Sequence, residues 1–261
     1  MAEVIIVRDE QEAGRLVGDA IVHLVSARPD AVLGLATGST PLAVYRHLAE
    51  RVRGDGIDVS RVRGFALDEY VGLPAGHPES YRRVIEREVV EPLGLTPANI
   101  RVPRGEFDGI ETAGEEYEAA IREAGGVDLQ ILGIGRTGHI GFNEPGSSLA
   151  SSTRVKTLAE ETRADNARFF DSPDEVPMHC ITQGIGTILR ARHLVLLAFG
   201  EAKAAAVAAA VEGPVSTSAP GSAVQLHPHV TVVVDEAAAA SLAEAPYYRH
   251  AWANKPAWQG I

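Results

Sequence analysis

Short apolar runs alternate with amphipathic stretches along most of this 261-residue chain. Apolar residues at three- and four-residue spacing predict helices, and nearly continuous short runs predict strands buried on both faces. Strands are predicted at residues 4–7, 31–35, 62–67, 129–134, 194–198 and 230–234. Helices are predicted at residues 10–26, 41–53, 80–91, 113–123, 183–191 and 202–212. Because such connections are right-handed crossovers, we expect a Rossmann-like three-layer α/β sandwich, with a mostly parallel sheet and helices on both faces.

Nothing in the sequence divides the chain into separate domains. It contains no internal repeat and no low-complexity linker, so we expect one α/β domain over residues 1–261. The stretch after residue 134 is long and irregular. The alanine-rich residues 237–245 are ordinary helix formers.

Composition excludes several classes of function. Apolar residues make up 45% and charged residues 23% of the chain, as in ordinary globular proteins. The net charge of −11 argues against nucleic acid and anionic membranes as partners. No apolar run approaches the roughly 18 residues of a membrane span. The first residues lack the basic region of a signal peptide, so we expect a cytoplasmic protein.

The metal-ligating residue types are too scattered to predict a metal site. Cys180 is the one cysteine, which excludes an internal disulfide and a cysteine-clustered metal site. His227 and His229 flank Pro228, but no third ligand stands near them in sequence. We therefore expect neither a metal nor another cofactor.

The first of four loops with chemical potential connects the second predicted strand to the second predicted helix. Thr37, Gly38, Ser39 and Thr40 supply backbone amides and hydroxyls there, and Pro41 suits a first helical turn. Such a helix N-terminus suits an anion such as a phosphate, although it could also be a plain Ser/Thr cap.

The second loop places two adjacent carboxylates, Asp68 and Glu69, at the end of the third predicted strand. Apolar surroundings could raise the pKa of Asp68 and make it a usable base. Adjacent acids usually point apart, so we expect at most one of them to be catalytic. A surface turn with solvated acids is the alternative.

The third loop follows the strand predicted at residues 129–134 and contains three closely spaced glycines. It delivers His139 and, five residues later, Glu144. Since imidazole changes charge near neutral pH, this pair could form a base with an orienting partner. A glycine-rich turn with a structural histidine is the alternative.

The fourth loop holds Lys203 in the first turn of a predicted helix, where the helix dipole disfavours a cation. Only three of the 24 basic residues are lysines, which makes this one conspicuous. It suggests a specific anionic partner, with a solvated lysine as the alternative. Together the four loops favour a small phosphorylated substrate bound beyond the carboxyl ends of the strands.

These residues closely resemble the glucosamine-6-phosphate deaminase (isomerising) family over most of the chain. Asp-Glu-Tyr-Val-Gly-Leu and Phe-Asn-Glu-Pro are the most specific motifs. The matching segments lie at 37–41 (Thr-Gly-Ser-Thr-Pro), 67–73 (Leu-Asp-Glu-Tyr-Val-Gly-Leu), 77–81 (His-Pro-Glu-Ser-Tyr), 138–148 (Gly-His-Ile-Gly-Phe-Asn-Glu-Pro-Gly-Ser-Ser), 153–158 (Thr-Arg-Val-Lys-Thr-Leu), 167–170 (Ala-Arg-Phe-Phe) and 225–227 (Gln-Leu-His). The resemblance implies conversion of glucosamine 6-phosphate and water to fructose 6-phosphate and ammonia, in amino-sugar catabolism.

The resemblance also implies residue roles. Asp68 matches the proton acceptor that moves a proton between C2 and C1. His139 matches the group that opens the pyranose ring, with Glu144 in its hydrogen-bonded relay. The phosphate cradle matches Gly38, Ser39, Thr40, Arg168 and Lys203. The segment from about 158 to 180 matches a mobile lid.

One position departs from the family pattern. Two residues before the histidine the family often has aspartate, sometimes asparagine, and this chain has Thr137. A hydroxyl can hydrogen-bond to imidazole but adds no charge, so we expect His139 to depend more on Glu144 and ring opening to be slower.

A second phosphate site is implied at Ser147, Ser148, Arg154 and Lys156. In hexameric members this site lies between subunits and binds the activator N-acetylglucosamine 6-phosphate. Residues 247–261 resemble the allosteric forms less, and Arg192 stands where those forms tend to carry an acid. The sequence leaves open both activation by N-acetylglucosamine 6-phosphate and assembly into a homo-oligomer of up to six chains.

Two other functions compete with the deaminase. A 6-phosphogluconolactonase-like hydrolase shares the fold and a Gly-His motif, but that family lacks the Phe-Asn-Glu-Pro motif. A non-catalytic sugar-phosphate sensor would need the cradle but not Asp68, His139 and Glu144, and Thr137 is the one feature in its favour. An enzyme acting on a different amino-sugar phosphate also stays open.

Overall fold

A central sheet of seven parallel strands organises the protein. The computed structural model describes residues 3–256 and 258–261. Its strands are β1 (Glu3–Val7), β2 (Val32–Leu35), β3 (Arg63–Ala66), β4 (Asp68–Tyr70), β5 (Ile100–Arg101), β6 (Leu129–Gly133), β7 (Arg154–Thr157), β8 (His179–Thr182), β9 (His193–Ala198) and β10 (Val230–Asp235). The order in the central sheet is β1-β10-β9-β6-β2-β3-β5. Strands β2 and β9 are buried along their whole length, as a sheet covered on both faces requires.

Helices surround this sheet and complete a three-layer α/β arrangement, which confirms the predicted fold class. They are α1 (Glu10–Ala27), α2 (Leu42–Asp55), α3 (Tyr81–Ile85), α4 (Glu91–Leu93), α5 (Ile110–Glu123), α6 (Glu160–Asn166), α7 (Ile185–Ile188), α8 (Ala204–Val211) and α9 (Ala245–Ala253). A π-helical turn, Glu86–Val90, joins α3 to α4. Local sequence sets several ends: the Asp9 side chain accepts the amide of Glu12 at the start of α1, and Gly56 ends α2 in the left-handed conformation.

A small antiparallel sheet, in the order β4-β8-β7, lies beside the carboxyl ends of the central strands. The chain passes from one sheet to the other at Leu67, between β3 and β4. The Leu67 amide donates to the Leu35 carbonyl of the central sheet (3.0 Å), and the Leu67 carbonyl accepts the amide of Gln183 (2.7 Å). A single residue therefore links both sheets.

The structure differs from the sequence prediction mainly outside the central sheet. The small sheet, the two-residue strand β5 and helices α6 and α9 were not predicted. The helix predicted at residues 183–191 is only Ile185–Ile188. Residues 237–244 form turns rather than a helix, and the Asp235 carboxylate accepts the amide of Ala238 where these turns begin (2.7 Å). No helix in the described residues is long and apolar enough to cross a membrane.

We predict that two glycine-to-alanine changes in helices will have opposite effects on stability. At Gly114, in α5, an added Cβ would lie 2.4 Å from the Thr153 carbonyl oxygen, so Gly114→Ala should destabilise the protein by about 1–3 kcal/mol. At Gly54, in α2, no atom lies within 4 Å of the added Cβ. Gly54→Ala should stabilise the protein by up to about 1 kcal/mol because alanine loses less backbone entropy in a helix.

Chemical denaturation of both variants measures these free energies. Equal effects at the two positions would contradict the close contact between α5 and Thr153, the residue before β7.

Candidate active site

The four predicted loops follow four neighbouring strands and open into one cavity. Strands β9, β6, β2 and β3 are adjacent in the central sheet, so their carboxyl ends meet at one edge. The cavity beyond this edge has a volume of about 310 Å³. Its lining includes Thr37, Gly38, Ser39, Thr40, Asp68, His139, Arg168 and Lys203. The structure therefore brings together the predicted phosphate-binding residues, the candidate base and the candidate ring-opening histidine.

Anion donors from three different segments reach this cavity. Gly38 has φ +86°, a conformation that favours glycine. No atom lies within 4 Å of a Cβ built on Gly38, so the loop backbone is open to a ligand. Arg168 comes from the segment after α6, and Lys203 from the turn before α8. Partial burial lowers the pKa of Lys203. The negative charge of Asp165 acts against this lowering, and the positive charge of Arg168 adds to it. Both cations therefore line the same cavity as the Gly38 loop.

Asp68 is a nearly buried carboxyl group, with 5% of its surface exposed. Burial, followed by the charge of Glu69, raises the pKa of Asp68 to about 8, against hydrogen bonds from the Thr182 hydroxyl and the Phe142 amide. A Cβ on Gly141 would lie 3.3 Å from Asp68 Oδ2, so a glycine here keeps the wall close to the carboxyl. A carboxyl group with this pKa can accept and return a proton near neutral pH.

Glu69 has a structural role that differs from that of Asp68. Its carboxylate accepts the backbone amides of Tyr70 (2.8 Å), Tyr81 (2.8 Å) and Arg82 (2.9 Å), and so holds the first turn of α3. Burial raises the pKa of Glu69, and these hydrogen bonds limit the increase. Asp68 lines the cavity and Glu69 does not, which agrees with the expectation that at most one of the two faces a substrate.

His139 lies at the cavity wall, with Glu144 and Thr137 behind it. The His139 Nδ1 atom is 2.9 Å from Thr137 Oγ1 and 3.3 Å from Glu144 Oε2. Partial burial would raise the pKa of Glu144, but hydrogen bonds from His139, Thr162 and Thr137 outweigh it and lower the pKa. The His139 ring packs on Gly135, where an added Cβ would fall 2.1 Å from Cε1. The imidazole is thus held through Nδ1, while its other nitrogen, Nε2, makes no hydrogen bond to a described residue.

The predicted lid segment supplies side chains that sequence reasoning missed. The hydroxyl of Thr162, on α6, donates to Glu144 Oε1. Asn166 Nδ2 donates to the Tyr70 hydroxyl (2.9 Å), and Asp165 pairs with Arg136 of the glycine-rich loop (2.7 Å). All three α6 residues line the cavity. Helix α6 thus contacts both the loop that contains His139 and the strand that contains Asp68.

The second predicted phosphate site is not assembled by contacts within one chain. Ser147 and Ser148 lie in the turns after Glu144, whereas Arg154 and Lys156 lie on β7. Arg154 donates to Asn143 Oδ1 (2.7 Å). No hydrogen bond between described residues joins the two serines to Arg154 or Lys156, so this site stays a prediction.

The histidines near the start of β10 form a structural cluster. His227 Nε2 is 2.7 Å from the Ala191 carbonyl oxygen, and the His229 ring stacks on His193 with centroids 3.7 Å apart. Burial, followed by the neighbouring histidines, lowers the pKa of His193 to about 4. Among residues 3–256 and 258–261, no group of three metal-ligating side chains is suitably placed to bind a metal ion.

We predict that Asp68→Asn will stabilise the protein increasingly as the pH rises. Below about pH 4 the Asp68 carboxyl is protonated in both folded and unfolded chains, so it adds no pH dependence. Between about pH 4 and the folded pKa of about 8, the unfolded chain releases a proton that the folded chain retains, which lowers stability. Since asparagine binds no proton, the advantage of the variant should grow by on the order of 1 kcal/mol per pH unit.

Denaturation at pH 5, 6.5 and 8 measures this difference. The exposed Asp58, whose pKa is lowered by hydrogen bonds from the Ser60 hydroxyl and amide, gives the control variant Asp58→Asn, which should show no such gain. A difference between Asp68→Asn and the unmodified chain that does not change with pH would refute the raised pKa.

Comparison with known proteins places this cavity in a family. The model of glucosamine-6-phosphate isomerases/6-phosphogluconolactonase matches residues 10–233. A glucosamine-6-phosphate deaminase of Bifidobacterium longum (strain DJO10A) is 62% identical over 270 aligned residues, covering 100% of both chains. The structure of a monomeric glucosamine-6-phosphate deaminase matches with a TM-score of 0.89 and 39% identity, over 92% of this chain and 100% of that one.

A structural match also exists to the lactonase branch of the family. The 6-phosphogluconolactonase from Thermotoga maritima has a TM-score of 0.71 at 20% identity, over 90% of this chain and 99% of that one. At this identity the likeness shows the fold alone. The match of the family model to most of the chain, and the 62% identity to a full-length relative, are stronger. The chain therefore belongs to the family of glucosamine-6-phosphate isomerases and 6-phosphogluconolactonases.

Proposed function

We propose that this protein is a glucosamine-6-phosphate deaminase, which converts glucosamine 6-phosphate and water to fructose 6-phosphate and ammonia. The observation that carries the proposal is the buried Asp68 carboxyl, which shares one cavity with His139 and with the cations Arg168 and Lys203. The 62% identity to a full-length relative of that name supports it. Since water is consumed as a C–N bond breaks, we class the enzyme as a hydrolase acting on that bond.

The first proposed step is opening of the sugar ring. The phosphate binds to the loop at Gly38, Ser39 and Thr40 and to the side chains of Arg168 and Lys203, which places the sugar over the floor of the cavity. His139 then transfers the proton between the O1 hydroxyl and the ring oxygen, which produces the open chain with a C1 aldehyde. Glu144 and Thr137 orient the imidazole through Nδ1.

The second proposed step is proton transfer by Asp68. Next to the C1 aldehyde the C2–H bond is acidic, so the Asp68 carboxylate removes that proton. The aldehyde oxygen O1 takes up a proton from the ammonium group of the substrate, and an enolamine forms. Asp68 returns a proton to C1, which leaves an iminium group at C2. Water adds to C2, and ammonia leaves as the C2 ketone forms. The pKa of about 8 suits a group that must both take and return a proton.

We propose that residues 158–180 act as a lid over this chemistry. The support is that Thr162, Asp165, Asn166 and Arg168 all line the cavity from this segment. In the closed position, Arg168 contacts the phosphate and Thr162 holds Glu144. A lid would keep bulk water from the imine until the proton transfers are complete.

Location and assembly remain proposals. We propose a cytoplasmic enzyme that acts as one domain over residues 1–261. The structural neighbour with a TM-score of 0.89 is described as monomeric, so the allosteric hexamer has no support from that comparison. Activation by N-acetylglucosamine 6-phosphate at Ser147, Ser148, Arg154 and Lys156 is testable by adding this compound to the assay below.

The alternatives have less support. A lactonase has no need for a base placed to move a proton between two carbons, and the match to that branch shows the fold alone. A sensor has no need for the buried Asp68 carboxyl, because ionising this group lowers the free energy of unfolding without serving binding. Thr137 is the one residue that favours a sensor, but its hydroxyl still contacts the imidazole.

We predict that Asp68→Asn will lower ammonia release by about 10²–10⁴-fold, the usual contribution of a general base. Ammonia and fructose 6-phosphate are measured after adding glucosamine 6-phosphate to the purified protein. Asp58→Asn, at the exposed surface, is the control and should retain activity. Full activity in Asp68→Asn would exclude Asp68 as the base, whereas no ammonia from the unmodified chain would favour a sensor or another substrate.

We predict that Thr137→Asp will raise kcat/KM several-fold, because a second carboxylate near Nδ1 favours the charged imidazole during ring opening. Thr137→Val keeps the shape of the side chain but removes its hydroxyl, and should lower kcat/KM. Steady-state kinetics with ring-closed glucosamine 6-phosphate tests both variants. Unchanged kinetics in Thr137→Asp would show that ring opening does not limit the rate, or that Glu144 alone orients His139.

A further inference from the structure

A second cavity, of about 280 Å³, lies between α3, the loop after β5 and α5. We call it the arginine cavity, because Arg82, Arg101 and Arg104 line it together with Glu116 and Tyr117. Among the described residues, none lines both this cavity and the first one. It is also separate from the predicted second phosphate site on β7.

The charges around the arginine cavity are unbalanced. Arg104 is neutralised, since it pairs with Glu116 (3.0 Å) and donates to the carbonyls of Gly109 (2.8 Å) and Asp108 (3.2 Å). The Arg82 guanidinium makes a long hydrogen bond to the Val102 carbonyl (3.5 Å), and its charge acts on the nearby Glu69 carboxylate, whose pKa it lowers. In the part of the chain that the structure describes, no carboxylate forms an ion pair with Arg82 or Arg101. Two guanidinium groups without an ion-pair partner among the described residues therefore line one cavity, in a chain where acids outnumber bases by 35 to 24.

The rest of the cavity lining is mostly apolar, with Ile100, Val102, Ala113 and Ala120 beside Tyr117. Tyr117 is buried, and its hydroxyl lies 2.8 Å from the Ala66 carbonyl oxygen and 3.0 Å from that of Arg101. The second contact fixes the Arg101 backbone, which is also paired with Phe65 in the central sheet. The backbone amide of Arg82 is fixed in turn by Glu69 (2.9 Å). The two arginines thus extend from rigid backbone, which reduces the entropy lost when they bind a ligand.

We propose that the arginine cavity binds the phosphoryl group of a small metabolite. Guanidinium groups present planar, paired N–H donors that match the oxygens of a phosphate, and two of them can bind one phosphoryl group bidentately. The volume of about 280 Å³ is just below the usual range for small-molecule sites, so the ligand is small. The proposal does not depend on the reaction in the first cavity.

The site adjoins the segment that contains the candidate base. Arg82 contacts Glu69 through its backbone amide, and Tyr117 contacts Ala66 through its hydroxyl. These contacts lie on either side of Asp68 in sequence. An occupant of the arginine cavity therefore binds to groups that hold Asp68 in place, yet stays outside the substrate cavity.

Calorimetric titration with inorganic pyrophosphate tests the proposal. The full-length chain with Arg168→Gln and Lys203→Gln is the reference, because these changes weaken anion binding in the first cavity. The reference should bind one equivalent of pyrophosphate. Adding Arg101→Gln should weaken this binding by at least about tenfold, as loss of a charge-assisted contact predicts. Adding Arg83→Gln, next to Arg82 but paired with Glu86, should leave it unchanged.

Two results would overturn the proposal: no saturable binding in the reference, or equal affinity with and without Arg101→Gln. Arg101 is exposed, so its replacement should not affect folding, and a thermal melt verifies this. If Arg101→Gln does lower the melting temperature, Arg82→Gln gives the same test from α3. Neither result bears on ammonia release by the unmodified chain, so this proposal and the deaminase proposal can fail separately.

Discussion

Leu67 is the point on which the geometry of the site depends. Its amide bonds to Leu35 in the central sheet, its carbonyl bonds to Gln183 at the end of the small sheet, and its side chain is buried. Asp68 follows directly and pairs with Thr182 in the small sheet. Because both backbone groups of Leu67 are used, the Asp68 backbone has little freedom. The carboxyl is therefore held at the edge where four parallel strands end.

The same constraint separates two neighbouring carboxyl groups into two roles. Successive side chains of a strand point to opposite faces, so Asp68 faces the cavity while Glu69 faces α3. Glu69 accepts three backbone amides, whereas Asp68 has the Thr182 hydroxyl and the Phe142 amide. Hydrogen bonds consequently offset the cost of burying a charge less at Asp68 than at Glu69. Stability lost in this way at neutral pH is the expected consequence of keeping a proton-transfer group out of water.

The sequence predicted the central sheet well because burial on both faces leaves nearly continuous apolar runs, as in β9. The small sheet left no such signal: β4 is only the three residues Asp68-Glu69-Tyr70, one residue after β3, and β7 alternates half-buried with exposed residues. The loops at Gly38, Asp68, His139 and Lys203 were found because each follows a strand of the central sheet. Thr162 and Thr182 were missed because they reach the site through contacts about 20 to 40 residues away in sequence. No local pattern encodes such contacts.

The central claim is that one buried carboxyl, Asp68, carries a proton from C2 to C1 of the sugar. The most direct test uses glucosamine 6-phosphate with deuterium at C2, in ordinary water, and measures deuterium at C1 of the fructose 6-phosphate by NMR. A carboxyl with 5% of its surface exposed exchanges slowly with solvent, so part of the deuterium should appear at C1. Complete loss of deuterium to water at every turnover would contradict transfer by a shielded Asp68.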